Sequence, residues 1–433
     1  LASLSIGYWV GGYLSDAKTS PRYLSFILLL SSIYIGLLGV LKDYLLQGFQ
    51  NITPDLRITA LLICILLFAI PSILLGMVSP YLAKLLLNTI KESGKTVGKL
   101  YSISTLGSIF GTIITGFFLI SFFSNTQILF IIFVILMFCS FLTWAKGLII
   151  KAMILLIVVL FYATYDYQKN FIEIDTSYHK ASIIDVKDQF SGRVLRQLKL
   201  GAETHSGIFL DSDELIYEYL KSYDLISEIN PKFSKSLMIG GGAFTYPQHY
   251  IKKYPNAKID VVEIDPKLTE ISKKYFKLQD DARLNIINED GRTFLNKNKT
   301  KYDAVLIDAF FSFYSIPYHL TTKETSLLIH DSLNKDGVVI INIISSLEGN
   351  NSKFLISEYK TYKEVFAQVK ILQIYPQIHK NSIQNLMLIA SKSKNEISFS
   401  NEFILNEELV KKAPILTDDF APVDQYIAAF LDR

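Results

Sequence analysis

Four apolar runs in the second half of the chain each end in residues able to do chemistry. Ser236–Ile239 closes on Gly240, Gly241 and Gly242, and Lys258–Ile264 closes on Glu263 and Asp265. Leu284–Ile287 runs into Glu289, Asp290, Gly291 and Arg292, and Ala304–Ile307 stops at Asp308. Glycines directly after a strand let the backbone come close to a ligand. An acid about 20 residues further on, at the end of the next strand, suits a ribose diol; Glu263 lies 21 positions after Gly242. Asp290 is placed to take an adenine amino group, and Asp308 to point into the centre of the cleft. The turn is not G-x-G-x-x-G, because Thr245 stands where the third glycine belongs. That counts against a dinucleotide and for a compact nucleoside. A glycine triplet or a single strand-end acid is weak alone. Three acids at three successive strand ends, in this order, outweigh the alternative of solvated loop acids on an unrelated fold.

These residues need elements to hold them. Tyr246–Tyr254 and Pro266–Phe276 read as helices between the runs, the second with proline in its first turn, and Gly337–Ile344 reads as a fifth strand. Alternating strands and helices predict a parallel sheet covered on both faces, whose ligands bind at strand C-termini. Ile371–Tyr375 and Asn385–Ala390 are expected to form a terminal antiparallel pair. Upstream, Lys180–Lys187 and Arg193–Leu200 flank the turn Ser191-Gly192 and predict a small β-hairpin subdomain, followed by a helix over Asp211–Tyr223.

The first part of the chain has another character. Residues 1–164 hold ten Lys/Arg and four Asp/Glu, and residues 165–433 hold 33 and 36. This shift places a boundary near 165 and predicts three parts: 1–164 multi-span and helical, 165–230 the small β subdomain with its connecting helix, and 231–433 the nucleoside-binding domain. The acidic excess of the second half argues against nucleic acid, which needs a basic stripe. A bilayer span takes about 20 mostly apolar residues, and Leu24–Leu41, Ile58–Val78, Ser102–Phe123 and Thr126–Ala145 come near that. Leu1–Leu14 reads as a span cut at its start. Gly147–Ala163 is the weakest candidate, being short and carrying Lys151. Ser104, Gly107, Ser108, Gly111, Thr115 and Gly116 make a small-residue face suited to close helix packing. Lys18 and Arg22, and then Lys84, Lys91, Lys95 and Lys99, put two loops in the cytoplasm by the positive-inside rule. With Gly147–Ala163 returning rather than crossing, the second half is cytoplasmic too. Cys64 and Cys139 lie in apolar runs and offer neither a disulfide framework nor metal-ligand spacing.

The stretches Leu237–Gly242, Val261–Asp265, Glu289–Arg292 and Leu306–Asp308 resemble the spermidine synthase family, as does Asp213-Glu214 with Tyr217. Ser79-Pro80, Tyr101–Ser108 and Leu416–Val423 are similar to the membrane-fused members of that family. The resemblance implies a transmembrane helical region followed by an α/β Rossmann-like domain of the S-adenosylmethionine-methyltransferase type. It implies Gly240, Gly241, Gly242, Glu263, Asp265, Asp290 and Gly291 around the nucleoside, Asp308 as the catalytic aspartate and Tyr217 as its orienting partner. The implied donor is decarboxylated S-adenosylmethionine or S-adenosylmethionine, with no metal. The implied partners are an amine acceptor, membrane lipid and a second subunit in a homodimer. An amine attacking carbon beside a sulfonium expels a neutral thioether, so the step needs a proton acceptor and no acid. The family carries Asp after its glycine triplet and a second Asp three positions past the catalytic one. Here these are Ala243 and Phe311, and position 218 is Glu. These differences, with the aromatic run after Asp308, point to a less polar acceptor pocket and keep open a methyltransferase or a non-catalytic nucleoside-binding module. His319, in the same loop, is a further candidate base, and Asp418 and Asp419 are candidates for an amine pocket.

Overall fold

The computed structural model describes residues 1–50, 56–87, 93–120, 123, 125–144, 151–159, 171–188, 191–201, 203–309 and 316–428. The chain separates into two compact units, Leu1–Asn170 and Phe171–Arg433. The boundary expected at 164/165 lies outside the described residues, as does Phe311.

The first unit is helical. Among the described residues, four helices are long and apolar enough to cross a bilayer: Pro21–Gly39, Ile58–Leu86, Ser93–Leu119 and Asn125–Thr143. The second is interrupted by wider turns at Ile65–Ala69, directly before Pro71, whose missing N–H cannot continue the helical ladder. Small residues set the closest helix contacts. The helix Ala2–Ala17 brings Gly7 against Gly76 and Gly11 against Met77, and Gly36 faces the Phe133 ring. Serine hydroxyls bond across the same seam: Ser25 Oγ donates to the Ser140 carbonyl at 2.8 Å and Ser32 Oγ to that of Phe133 at 2.9 Å. In lipid the hydrophobic effect does not draw helices together, so such close packing and polar contacts take over. The small-residue face predicted on Ser102–Phe123 is real as a stripe, but Gly107, Gly111 and Gly116 meet nothing within 4 Å among the described residues.

Of Gly147–Ala163 only 151–159 is described, as helix. Lys151 is buried, and its ammonium donates to Ser25 Oγ at 2.6 Å and to the carbonyls of Ser140 and Trp144 at 2.8 and 2.9 Å. All three of its protons are thus used. Two of the acceptors are carbonyls at the C-terminal end of Asn125–Thr143, where a cation opposes the helix dipole. Arg22 lies over the Trp144 ring and Lys84 pairs with Asp16 at 2.7 Å.

The second unit opens with an antiparallel four-stranded sheet: β1 (Ile172–Asp175), β2 (Lys180–Lys187), β3 (Val194–Leu200) and β4 (Glu203–Phe209). It is larger than the expected hairpin because β1 pairs beside β2 and β4 beside β3. Its buried face, with Ile183 and Leu198, packs on Ala243, Leu268 and Phe276. The helix predicted over Asp211–Tyr223 begins only at Glu218. Before it, Asp213 and Glu214 are drawn into exposed ion pairs with Lys252 and Arg193.

The main sheet contains β5 (Lys235–Ile239), β6 (Lys258–Val262), β7 (Leu284–Ile287), β8 (Tyr302–Ile307), β9 (Leu333–Ser345), β10 (Gln368–Gln373), β11 (Gln384–Ser391) and β12 (Glu402–Phe403). Their order is β12-β10-β11-β9-β8-β5-β6-β7, with β5 to β9 mutually parallel. The predicted antiparallel pair is β10 and β11, but β11 also inserts antiparallel beside β9. β5 sends its successors to one side and β8 to the other, so the order reverses between them. That switch point is where open α/β sheets bind ligands. At the opposite, N-terminal end, the Asp303 carboxylate accepts from the backbone N–H groups of Ser234 and Lys235 at 2.8 and 3.0 Å and from Asn334 at 2.7 Å. Asp260 accepts from Tyr302 at 2.8 Å and from Asn285 at 3.2 Å. These two carboxylates stitch β5 to β9 together.

Candidate functional site

A cavity of about 280 Å³ opens at the C-terminal ends of β5, β6 and β8. Gly240, Gly241, Gly242, Glu263, Asp265, Asp290, Gly291, Asp308 and Tyr217, all singled out from sequence, line it. The glycine turn is held open by its backbone. Gly240 has φ +94° and Gly242 φ +53°, values that L side chains rarely adopt. A Cβ on Gly240 would collide with the Asp308 carbonyl oxygen.

Glu263 is 6% exposed and grips this turn. Its Oε2 accepts from the N–H of Gly241 at 2.8 Å and of Gly242 at 3.1 Å, and its Oε1 from Asp265 N–H at 3.0 Å. Burial pushes its carboxyl up, although these N–H groups work against the rise. A carboxylate has about four acceptor positions, so three bonds leave it room for one more donor. Asp265 caps the helix Pro266–Tyr275 with Oδ1, which accepts from Lys267 N–H at 3.0 Å. Its Oδ2 is buried and, among the described residues, has no partner; the same holds for His205 Nε2. Burial, with His179 nearby, lowers the His205 imidazole to about 4, so it is neutral at physiological pH.

Asp290 caps the helix Gly291–Lys297 through Thr293 N–H at 2.8 Å. Its Oδ2 lies 3.2 Å from His319 Nε2. Burial raises this carboxyl, but the Thr293 and His319 contacts outweigh it and leave Asp290 below its ordinary value. The loop carrying His319 is fastened from behind. Arg292 donates to the Thr322 hydroxyl at 3.2 Å and pairs with Asp418 at 2.7 Å, and Thr322 donates to Asp418 at 2.7 Å. Asp418 is therefore a fastener of the tail and does not line the cavity.

Asp308 stands on the cavity floor between two donors. Asn342 Nδ2 donates to Oδ1 at 2.9 Å and Tyr219 Oη to Oδ2 at 3.2 Å. Asn385 Nδ2 in turn donates to Asn342 Oδ1 at 3.0 Å, which fixes which way the Asn342 amide faces. Burial lifts the Asp308 carboxyl from an ordinary 3.8 to about 6, against the opposing pull of Asn342 and Tyr219. The Tyr219 phenol is held well above 10 by burial and by the Asp308 charge, so it stays a donor. Tyr217 stacks on Tyr219 with ring centroids 6.1 Å apart, while Tyr219 makes the bond to the aspartate.

Tyr219, Asn342 and Asn385 escaped the reading of the sequence. Asn342 left a signal: it is the one polar residue in the apolar run Val338–Ile344, and a buried amide requires partners. Asn385 left none, because its role depends on β11 lying beside β9. Among the described residues no group of three or more His, Cys, Asp and Glu is arranged to hold a metal ion.

Comparison with known proteins gives these residues a context. A spermine/spermidine synthase domain matches residues 214–401. The polyamine aminopropyltransferase of Vibrio vulnificus is 29% identical over 217 residues, covering 45% of this chain and 70% of that protein. A probable polyamine aminopropyl transferase of Bifidobacterium longum is 26% identical over 226 residues; the match covers 44% of this chain and about half, 48%, of the relative. The crystal structure of a probable spermidine synthase from Corynebacterium glutamicum superposes with a TM-score of 0.46 at 19% identity, covering 60% of this chain and 93% of that one. The chain thus has a distant, partial homology to the polyamine aminopropyltransferase family, joined to N-terminal helices of membrane-spanning length.

Proposed function

We propose that the second unit is a transferase that takes an alkyl group from an S-adenosyl sulfonium and gives it to an amine, with Asp308 as proton acceptor. The observation that carries this reading is the Asp308 carboxyl: it is held by Tyr219 and Asn342 at the switch point and lifted to about 6. A base with its pKa near the working pH combines ionisation with proton affinity. In the step, the nitrogen lone pair forms a bond to the carbon beside sulfur. The carbon–sulfur bond breaks, the thioether leaves neutral, and the proton passes to Asp308. Gly240, Gly241, Gly242, Glu263, Asp265, Asp290 and Gly291 hold the nucleoside in this reading. The fit is supported by the unpartnered buried atoms Asp265 Oδ2 and His205 Nε2, which a polar ligand satisfies.

The group transferred is aminopropyl on the strength of the distant homology. A specific observation favours methyl instead. Ala243 is fully buried and its N–H is taken by Ser206 Oγ at 3.2 Å, so the turn offers no carboxylate to an aminopropyl ammonium. Calorimetric titration of the full chain in detergent with the two donors separates these readings. Tighter binding of decarboxylated S-adenosylmethionine supports aminopropyl transfer, tighter binding of S-adenosylmethionine supports methyl transfer, and binding of neither sinks both.

The first unit anchors this chemistry in the bilayer. The loops with Lys18 and Arg22 and with Lys84, Lys91, Lys95 and Lys99 face the cytoplasm by the positive-inside rule, and in this reading the second unit is cytoplasmic, where adenosyl donors are made. Protease added to sealed inside-out vesicles is expected to digest the second unit. Protection there, with digestion from the opposite face, overturns this orientation.

A further inference from the structure

The walls around Asp308 bear on the acceptor, and the inference drawn from them rests on the transferase reading above. The cavity that Asp308 lines is also lined by Tyr217, Tyr219, Asn342, Ile344 and Asn385, of which Tyr219 and Asn342 bond Asp308 and Asn385 bonds Asn342. These supply two phenols, two carboxamides and an aliphatic chain, and burial holds both phenols above their ordinary value, hence uncharged. Of the other lining carboxylates, Glu263, Asp265 and Asp290 lie in the turns after β6 and β7, the part of the cavity assigned to the donor, and Glu203 opens β4. Glu218 is a chain neighbour of both tyrosines, but it does not line the cavity and pairs with Lys221 at 2.6 Å. Asp418 is bound to Arg292 and Thr322. Residues 310–315 read Phe-Phe-Ser-Phe-Tyr-Ser and contribute no acid by sequence.

One carboxylate serves one reacting nitrogen. A diamine brings a second ammonium into the same pocket, and a buried cation without a counter-charge is strongly disfavoured. Phenol rings and Ile344 favour an apolar or aromatic body instead. We propose that the acceptor carries a single amino group on an apolar or aromatic body, and that this site discriminates against diamines.

The test uses the full chain in detergent, each donor in turn, and butylamine against putrescine as acceptors that differ by one amino group, with phenethylamine as the aromatic case. Released thioether nucleoside is measured by mass spectrometry. The expected result is kcat/KM for butylamine at least about tenfold above that for putrescine. Equal or better use of putrescine overturns the proposal. Ile344→Asp places a carboxylate two residues along β9 from Asn342, roughly 7 Å away, a distance that a short diamine bridges. It is expected to move the preference toward putrescine by about tenfold, and an unmoved preference in a variant that melts like the parent counts against the proposal. Failure of the transferase reading is distinguishable, since it gives no thioether with any amine. The acceptor inference is then read from melting temperature with methylthioadenosine present: butylamine is expected to raise it and putrescine not, and a rise with putrescine as large as with butylamine overturns it.

Discussion

Asp308→Asn is expected to lower turnover by about 10²–10⁴-fold, the range for losing a general base, while the donor dissociation constant stays within about twofold. The asparagine mimics the protonated aspartate. Its carbonyl accepts from Asn342, and its amino group turns to Tyr219, whose hydroxyl can accept. Geometry is kept and the proton acceptor is lost. The parent's kcat/KM is expected to rise as pH climbs through about 6, as the carboxyl ionises, and this limb is absent from any residual activity of the variant. Stability moves the other way. Because the folded carboxyl lies above its unfolded value, the folded state holds an extra proton between about 3.8 and 6. Stability is therefore full below that window and is lost as pH rises through it, at a cost of about 2–3 kcal/mol above. Asp308→Asn removes that cost, so its melting temperature should exceed the parent's at pH 8 and match it near pH 4. An active variant, or one without the high-pH gain, removes Asp308 from this role.

Gly240→Ala is expected to cost the site its shape. The residue sits at φ +94° and its Cβ would meet the Asp308 carbonyl, which is backbone and cannot swing aside. Strain of this kind costs about 1–3 kcal/mol, and relief requires β5 and β8 to part where the Asp308 carboxylate is mounted. Donor affinity is expected to fall at least about 100-fold, with a clear drop in melting temperature. Gly242→Ala is the milder control: it too is strained, at φ +53°, but there a Cβ meets only the Ser206 hydroxyl, at 2.8 Å, a side-chain atom and not backbone. Donor binding by Gly240→Ala at the parent's affinity would show that the glycine turn does not cradle the nucleoside.

The strand-end pattern was legible in the sequence because it is local. Apolar runs closing on Gly240, Glu263, Asp290 and Asp308 follow from the chain order alone, and the parallel sheet follows from their alternation; where its strand order reverses came only from the structure. What could not be read depends on pairings between distant segments. Asn385 reaches Asn342 only because β11 slips between β9 and β10. Tyr219 takes the bond to Asp308 that the sequence assigned to its neighbour Tyr217, since the helix begins at Glu218 and turns the later ring toward the carboxylate. His319 was legible as a residue of the loop, but its pairing with Asp290 required knowing that the loop folds over the end of β7.

The bonds that Asp303 and Asp260 make at the lower end of the sheet have a consequence for how this protein can change. They secure strands β5 to β9 without using any residue of the cavity. The upper rim is thereby released from the duty of keeping the sheet together. Replacements there, such as alanine in the turn after β5, can alter what the cavity accepts while the scaffold beneath keeps its register. A family of chains sharing this lower lacing can diverge in substrate while remaining recognisable as one fold.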